Sequence, residues 1–122
     1  MSNVNGSKWL RPEKRAAIYE RDNWECAYCG RGPRDKRSPK QASLILTLDH
    51  LTPRCQGGDN SARNLVTACQ RCNSSRQEKS WREFAPGGAV DRIEWLIEQP
   101  VDVTLGKAII ASLAGDPMIE AR

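Results

Sequence analysis

Residues 44–76 read LILTLDHLTPRCQGGDNSARNLVTACQRCNSSR. An apolar, β-capable run from Leu44 to Leu48 ends on Asp49 and His50, and His50 is the single histidine of the chain. Pro53, Gly57 and Gly58 then mark a loop. Asp59 to Asn64 is expected to form one helical turn. Leu65 to Ala68 reads as a short second strand. Gln70 to about Phe84 reads as a helix that starts inside the pair Cys69 and Cys72. Strand, loop, strand, helix predicts a ββα unit.

The second cysteine pair has a counterpart upstream. Cys26 and Cys29 stand in Cys-Ala-Tyr-Cys-Gly, and 39 residues separate them from Cys69 and Cys72. Two Cys-x-x-Cys pairs supply four thiolates, the donor set of a tetrahedral structural Zn²⁺ site with no open position. The insertion is longer than in the commonest fingers, as expected if the ββ hairpin lies between the knuckles. Gly30 lets the backbone turn tightly after the first pair. Cys55 has no partner at ligand spacing and reads as an inert free thiol.

Outward from this centre, Pro12 suits the first turn of a helix, which is expected to run to about Arg21 and to end at Asp22-Asn23. Ala16, Ala17 and Ile18 would face inward, with Lys14, Arg15 and Arg21 toward water or phosphate. Residues 1–11 read as a flexible tail. Arg31 to Gln41 holds two prolines and five Lys/Arg and reads as an exposed basic loop. After Pro86-Gly87-Gly88, the residues Val90, Ile93 and Ile97 share a helical face, with Trp95 and Leu96 beside it. Pro100 stops that helix. Leu105, Ile109, Ile110 and Leu113 mark another, which Asp102 or Thr104 can cap and Gly115 and Pro117 close. Such stripes are most often core-packing faces.

The 122 residues are 39% hydrophobic with one Phe, so the core is expected to be thin and to need a staple. No apolar run reaches membrane-spanning length, and the N-terminus lacks an apolar signal segment. Cysteines in such a chain point to metal before disulfides. Residues 1–82 carry 16 Lys/Arg against 8 Asp/Glu, whereas residues 83–122 carry 3 against 7. The first two-thirds thus holds the field that attracts a polyanion.

The Asp-His pair, the Gly-Gly loop, Asn64-Leu65 and the Cys-x-x-Cys followed by Asn73 closely resemble the HNH nuclease motif. Its third position is His or Asn, here Asn73. The resemblance covers Glu13 to Lys79. It implies an α+β fold: a small zinc-stapled ββα-metal finger with an N-terminal helix and two C-terminal helices. The nuclease core would span 12–85, with 86–122 as a helical extension of the same domain.

The resemblance also implies roles. His50 is the general base, suited near pH 7 as a neutral imidazole. Asp49 and Asn73 hold one catalytic cation through oxygen, and their hardness suits Mg²⁺ or Mn²⁺. Asn64 fixes the loop or the imidazole by hydrogen bonding. Cleavage would leave 5′-phosphate and 3′-hydroxyl ends. The ββα helix would lie against the minor groove; from their position alone, Arg71, Arg76 and Lys79 are expected to contact phosphates and Arg54 to clamp the scissile one. One difficulty is local: neighbours on a strand point to opposite faces. Asp49 and His50 serve one site only if the strand end is distorted or a phosphate lies across it.

The expected function is metal-dependent DNA hydrolysis. The alternatives are a non-catalytic zinc module binding nucleic acid, which has no need of the Asp49, His50, Asn64 and Asn73 set, and a protein-interaction domain using the acidic C-terminal helices. DNA is the expected partner, with a protein partner supplying target specificity. The expected location is the cytoplasm of a prokaryote, or of a phage-infected one.

Overall fold

The computed structural model describes residues 10–32, 40–41 and 44–112. Most of the tail, most of the basic loop, and Leu113 with the closing Gly115 and Pro117 lie outside the described residues. Helix α1 (Pro12–Arg21) starts on Pro12, preceded by an extended Arg11. Its inward face is Ala16, Ala17 and Ile18, as expected, with Tyr19 added. Asn23 and Trp24 then take positive φ angles of 60° and 56°. This reversal turns the chain into the first cysteine pair.

Strands β2 (Leu44–His50) and β3 (Leu65–Cys69) pair antiparallel, with Leu46 opposite Cys69 and His50 opposite Leu65. A two-residue strand β1 (Lys40–Gln41) pairs with the start of β2. The ladder continues past His50, where the Leu51 amide donates to the Asn64 carbonyl at 2.8 Å. Between them the loop makes 3-10 turns at Arg54–Gln56 and Ala62–Asn64.

Helix α2 (Gln70–Arg76) is shorter than the helix expected to reach Phe84. Gln77 has φ of 50°, and a separate short helix α3 (Trp81–Phe84) begins on Ser80, whose Oγ accepts from the Glu83 amide. The break has a cause. The Arg76 side chain turns inward, and its Nε donates to the Lys79 carbonyl at 3.0 Å, drawing the chain back across the helix end.

Helices α4 (Ala89–Leu96) and α5 (Val103–Ser112) follow. Asp102 caps α5, its Oδ1 accepting from the Leu105 amide at 3.0 Å. A Cβ on Gly106 would stand 2.0 Å from the Glu13 carbonyl oxygen, so α5 lies directly on α1. The contact face therefore centres on Gly106 and Ile109, and Leu105 is left 39% exposed. Ile93, Leu96 and Ile109 enter the main core, while Trp95 stays 62% exposed. Aromatic bulk compensates for the thin apolar composition: Tyr19, Trp24 and Tyr28 are all fully buried. No helix among the described residues is long and apolar enough to cross a membrane.

Arg21 does not face water or phosphate, as its place in the sequence suggested. Its side chain is 2% exposed and forks onto Asp22 at 2.6 and 3.1 Å. Its remaining donors reach the carbonyls of Ala62 and Leu65 at 2.8 and 2.6 Å. Asp22 Oδ2 in turn accepts from the Thr67 amide at 2.8 Å. Backbone groups at the start of β3 find their partners here, so α1 grips the hairpin from outside the ββα unit. Lys14 adds a bond to the Asn60 carbonyl at 2.7 Å. Removing one partner of a buried ion pair strands the other charge, at a cost of about 3–5 kcal/mol. Asp22→Ala is therefore expected to lower unfolding stability by that order in urea denaturation; a loss under about 1 kcal/mol, the value of an exposed pair, would contradict this reading.

Candidate active site and metal centre

Four sulfur atoms converge where the first knuckle meets the start of α2. The Sγ atoms of Cys26, Cys29, Cys69 and Cys72 all lie within 4.8 Å of one another, and Cys29 and Cys69 are 3.9 Å apart. A tetrahedral Zn²⁺ with sulfur at about 2.3 Å needs sulfurs about 3.8 Å apart. Within each pair an amide points at sulfur, Cys29 toward Cys26 at 3.5 Å and Cys72 toward Cys69 at 3.4 Å. Burial pushes the Cys26 thiol up, and burial with the neighbouring Cys26 charge pushes Cys72 up. Burial opposes the Cys69 thiolate too, but hydrogen bonds from Cys72, Cys29 and Arg31 bring it to about 7. Four thiolates at this spacing repel unless a cation sits among them. The donor set thus fits Zn²⁺, with Cys26 and Cys69 buried and Cys29 at the surface. Cys55 is exposed and outside the cluster.

The second group of residues forms where α2 crosses β2. Thr47 and Asp49 are two apart and share a face of the strand. Asn73 Nδ2 donates to Thr47 Oγ1 at 3.0 Å and approaches the Leu48 carbonyl at 3.5 Å. One turn later Arg76 Nη1 donates to Asp49 Oδ2 at 2.6 Å. The helix therefore brings Asn73 to Thr47, on the face of β2 that carries Asp49. Asp49 Oδ2 also accepts from the Tyr28 hydroxyl at 2.5 Å. Among the described residues no hydrogen bond is recorded to Asp49 Oδ1 or Asn73 Oδ1. Two hard oxygens on one face suit a cation such as Mg²⁺ or Mn²⁺.

His50 follows the strand alternation away from Asp49. Its Nε2 lies 2.7 Å from Asn60 Oδ1. An amide oxygen only accepts, so Nε2 carries the proton and Nδ1 is the basic nitrogen. Asn64 holds the loop: Oδ1 accepts from the Thr52 amide at 2.8 Å, while Nδ2 donates to the carbonyls of Thr52 and Asp59 at 3.0 and 2.9 Å. Gly58 is required beside it, since a Cβ there would stand 1.7 Å from the Thr52 carbonyl oxygen.

Arg54, Arg71 and Lys79 are exposed. Arg76, expected to contact phosphate with them, is not. It is 4% exposed and donates to the carbonyls of His50, Leu51 and Lys79 besides Asp49. The end of β2 leaves carbonyls and a carboxylate needing donors, and Arg76 on the inward face of α2 supplies them. Tyr28 and Asn60 were not singled out in the sequence. Both had a signal: a buried tyrosine needs a partner for its hydroxyl, and Asn60 follows the Gly-Gly turn that returns toward His50.

Comparison with known proteins follows the same residues. Residues 26–79 match the family model described as HNH endonuclease. A curated relative, the CRISPR-associated endonuclease Cas9 of Corynebacterium diphtheriae, is 33% identical over 92 residues, which cover 75% of this chain and 8% of the relative. The chain thus spans under a tenth of the relative's length. No solved structure gives a match. For the thiolate cluster, metal analysis is expected to find one Zn²⁺ per chain. Cys26→Ser is expected to lose that ion together with the cooperative melting transition, because structural zinc contributes directly to folding. A Cys26→Ser protein that melts like the parent would contradict the assignment.

Proposed function

The chain belongs to the HNH endonuclease family through residues 26–79, and on that premise we propose that it hydrolyses phosphodiester bonds of DNA with a divalent cation. One observation carries the reading: Asp49 and Asn73 keep oxygens without a hydrogen bond among the described residues, at the end of the strand whose next residue, His50, has its outer nitrogen already engaged by Asn60. When bound there, Mg²⁺ or Mn²⁺ supplies a Lewis acid for the phosphate and for the leaving 3′ oxygen.

The remaining work belongs to the chain's own side chains. Asp49 Oδ1 and Asn73 Oδ1 would hold the cation. His50 Nδ1 takes the proton of the attacking water, while Nε2–H stays bonded to Asn60 Oδ1. That bond stabilises the imidazolium as it forms and limits rotation of the ring. The scissile phosphate lies across the end of β2, spanning the two faces to which Asp49 and His50 point. Asn64 keeps the loop closed so that Asn60 stays in reach of the ring. The leaving 3′ oxygen takes its proton from solvent water, so the products carry 5′-phosphate and 3′-hydroxyl ends.

Arg54, Arg71 and Lys79 contribute phosphate contacts on this surface, with α2 against the minor groove. Such contacts fix position and carry no base sequence. Target preference then comes from a protein partner. Binding weakens steeply as salt rises.

The test is nicking of supercoiled plasmid with Mg²⁺ or Mn²⁺, with a chelator control. A positioned general base contributes about 10²–10⁴-fold, so His50→Ala is expected to slow cleavage by at least about 100-fold while salt-sensitive DNA binding persists. Undiminished cleavage by His50→Ala would remove the proposed base. Salt-sensitive binding without cleavage by the unaltered protein would instead leave a zinc-containing nucleic-acid-binding module.

A further inference from the structure

The first knuckle does more than supply two thiolates. Tyr28 lies between Cys26 and Cys29, and its side chain is 1% exposed. Its ring meets Phe84 edge-on, with centroids 5.1 Å apart. The backbone beside it is fixed on both sides. The Ala27 amide donates to the Thr67 carbonyl at 2.8 Å, and Arg92 Nε donates to the Ala27 carbonyl at 3.2 Å. The phenol therefore has little freedom relative to the four sulfurs. Its hydroxyl reaches across the core to Asp49 Oδ2.

A carboxylate held by one hydrogen bond still swings about Cβ–Cγ. A second donor on the same oxygen from another direction removes that freedom. Here the second donor is Arg76 Nη1, itself anchored by three carbonyls. Together the two donors occupy Oδ2 and leave Oδ1 without a hydrogen bond among the described residues. We infer that Tyr28 is a positioning residue for the catalytic cation, carried on the zinc knuckle and setting the direction in which Asp49 presents its free oxygen. The inference rests on the reading of Asp49 as a cation ligand. A purely structural tyrosine would fill the core equally well without its oxygen, provided Asp49 kept Arg76.

Two readouts separate these roles without relying on cleavage. Mn²⁺ binding is titrated calorimetrically on the zinc-loaded full chain, for the unaltered protein, Asp49→Ala and Tyr28→Phe. Zinc content and circular dichroism are measured on the same samples. Loss of an outer partner of a metal ligand typically costs about 10–100-fold in affinity. Tyr28→Phe is expected to keep its zinc and bind Mn²⁺ at least about 10-fold more weakly, and Asp49→Ala to abolish binding. Unchanged Mn²⁺ affinity in Tyr28→Phe, with Asp49→Ala still abolishing it, overturns the role of Tyr28 alone. Unchanged affinity in Asp49→Ala overturns the cation site itself, and the inference with it. The second readout needs no substitution. The Tyr28 hydroxyl proton, slow to exchange because it is buried, is expected to shift in step with Mg²⁺ saturation; a resonance unmoved at saturation overturns the coupling even if Tyr28→Phe does not fold.

Discussion

Four thiolates drawn from two ends of the motif set the terms for everything else in this molecule. The first pair follows α1, and the second closes β3 and opens α2. Their convergence fastens the N-terminal helix, the hairpin and the helix that crosses it into one unit. A chain with so few apolar residues gains from such a staple, because its core alone contributes little beyond the entropy lost on folding. The sulfurs stand at the spacing a tetrahedral ion needs, and the amides that point at them match a closed structural site.

The face that carries Asp49 inherits its order from that staple. Hydrogen bonds run from the knuckle through Tyr28 to Asp49, and from α2 through Arg76 to the same carboxylate. A second set of bonds arrives from outside the ββα unit. Lys14 and Arg21 on α1, and Asp22 just past its end, hold the carbonyls of Asn60, Ala62 and Leu65 and the amide of Thr67. Helix α5 backs α1 through Gly106, where only a glycine fits. The loop that touches the imidazole is thus gripped from both sides, although loops of this length are usually the least ordered part of a fold.

Much of this was legible in the sequence, and the gaps have physical causes. The hairpin, the cysteine pairing and the limits of α1 followed from local signals: short apolar, β-capable runs around a Gly-Gly loop, ligand spacing and a proline at a helix start. Arg21 and Arg76 were misread because an arginine in a polar helical run is usually a surface cation. Their burial depends on carbonyls contributed by residues far away in sequence. The break at Gln77 was not legible either, since glutamine is an ordinary helix former and its positive φ follows from the inward pull of Arg76. For Asp49 and His50, strand alternation predicts side chains on opposite faces, and the two find different partners: Tyr28 and Arg76 for Asp49, Asn60 for His50. Alternation did not show that Asn73 would reach Thr47 on the face that carries Asp49 and that Asn60 would engage His50. Those pairings are set by where α2 and the loop return, which is a tertiary fact.

The claim that joins these observations is that two different metal sites share one small scaffold, the closed one fixing the geometry of the open one. Anomalous diffraction from Mn²⁺-soaked crystals, recorded at the zinc and manganese edges, tests it most directly. The account predicts a zinc peak among the four sulfurs and a manganese peak within ligand distance of Asp49 Oδ1 and Asn73 Oδ1, with the His50 ring at the rim of that site. Zinc among the sulfurs with manganese absent from the Asp49 face, or bound at a place that neither oxygen reaches, would contradict it.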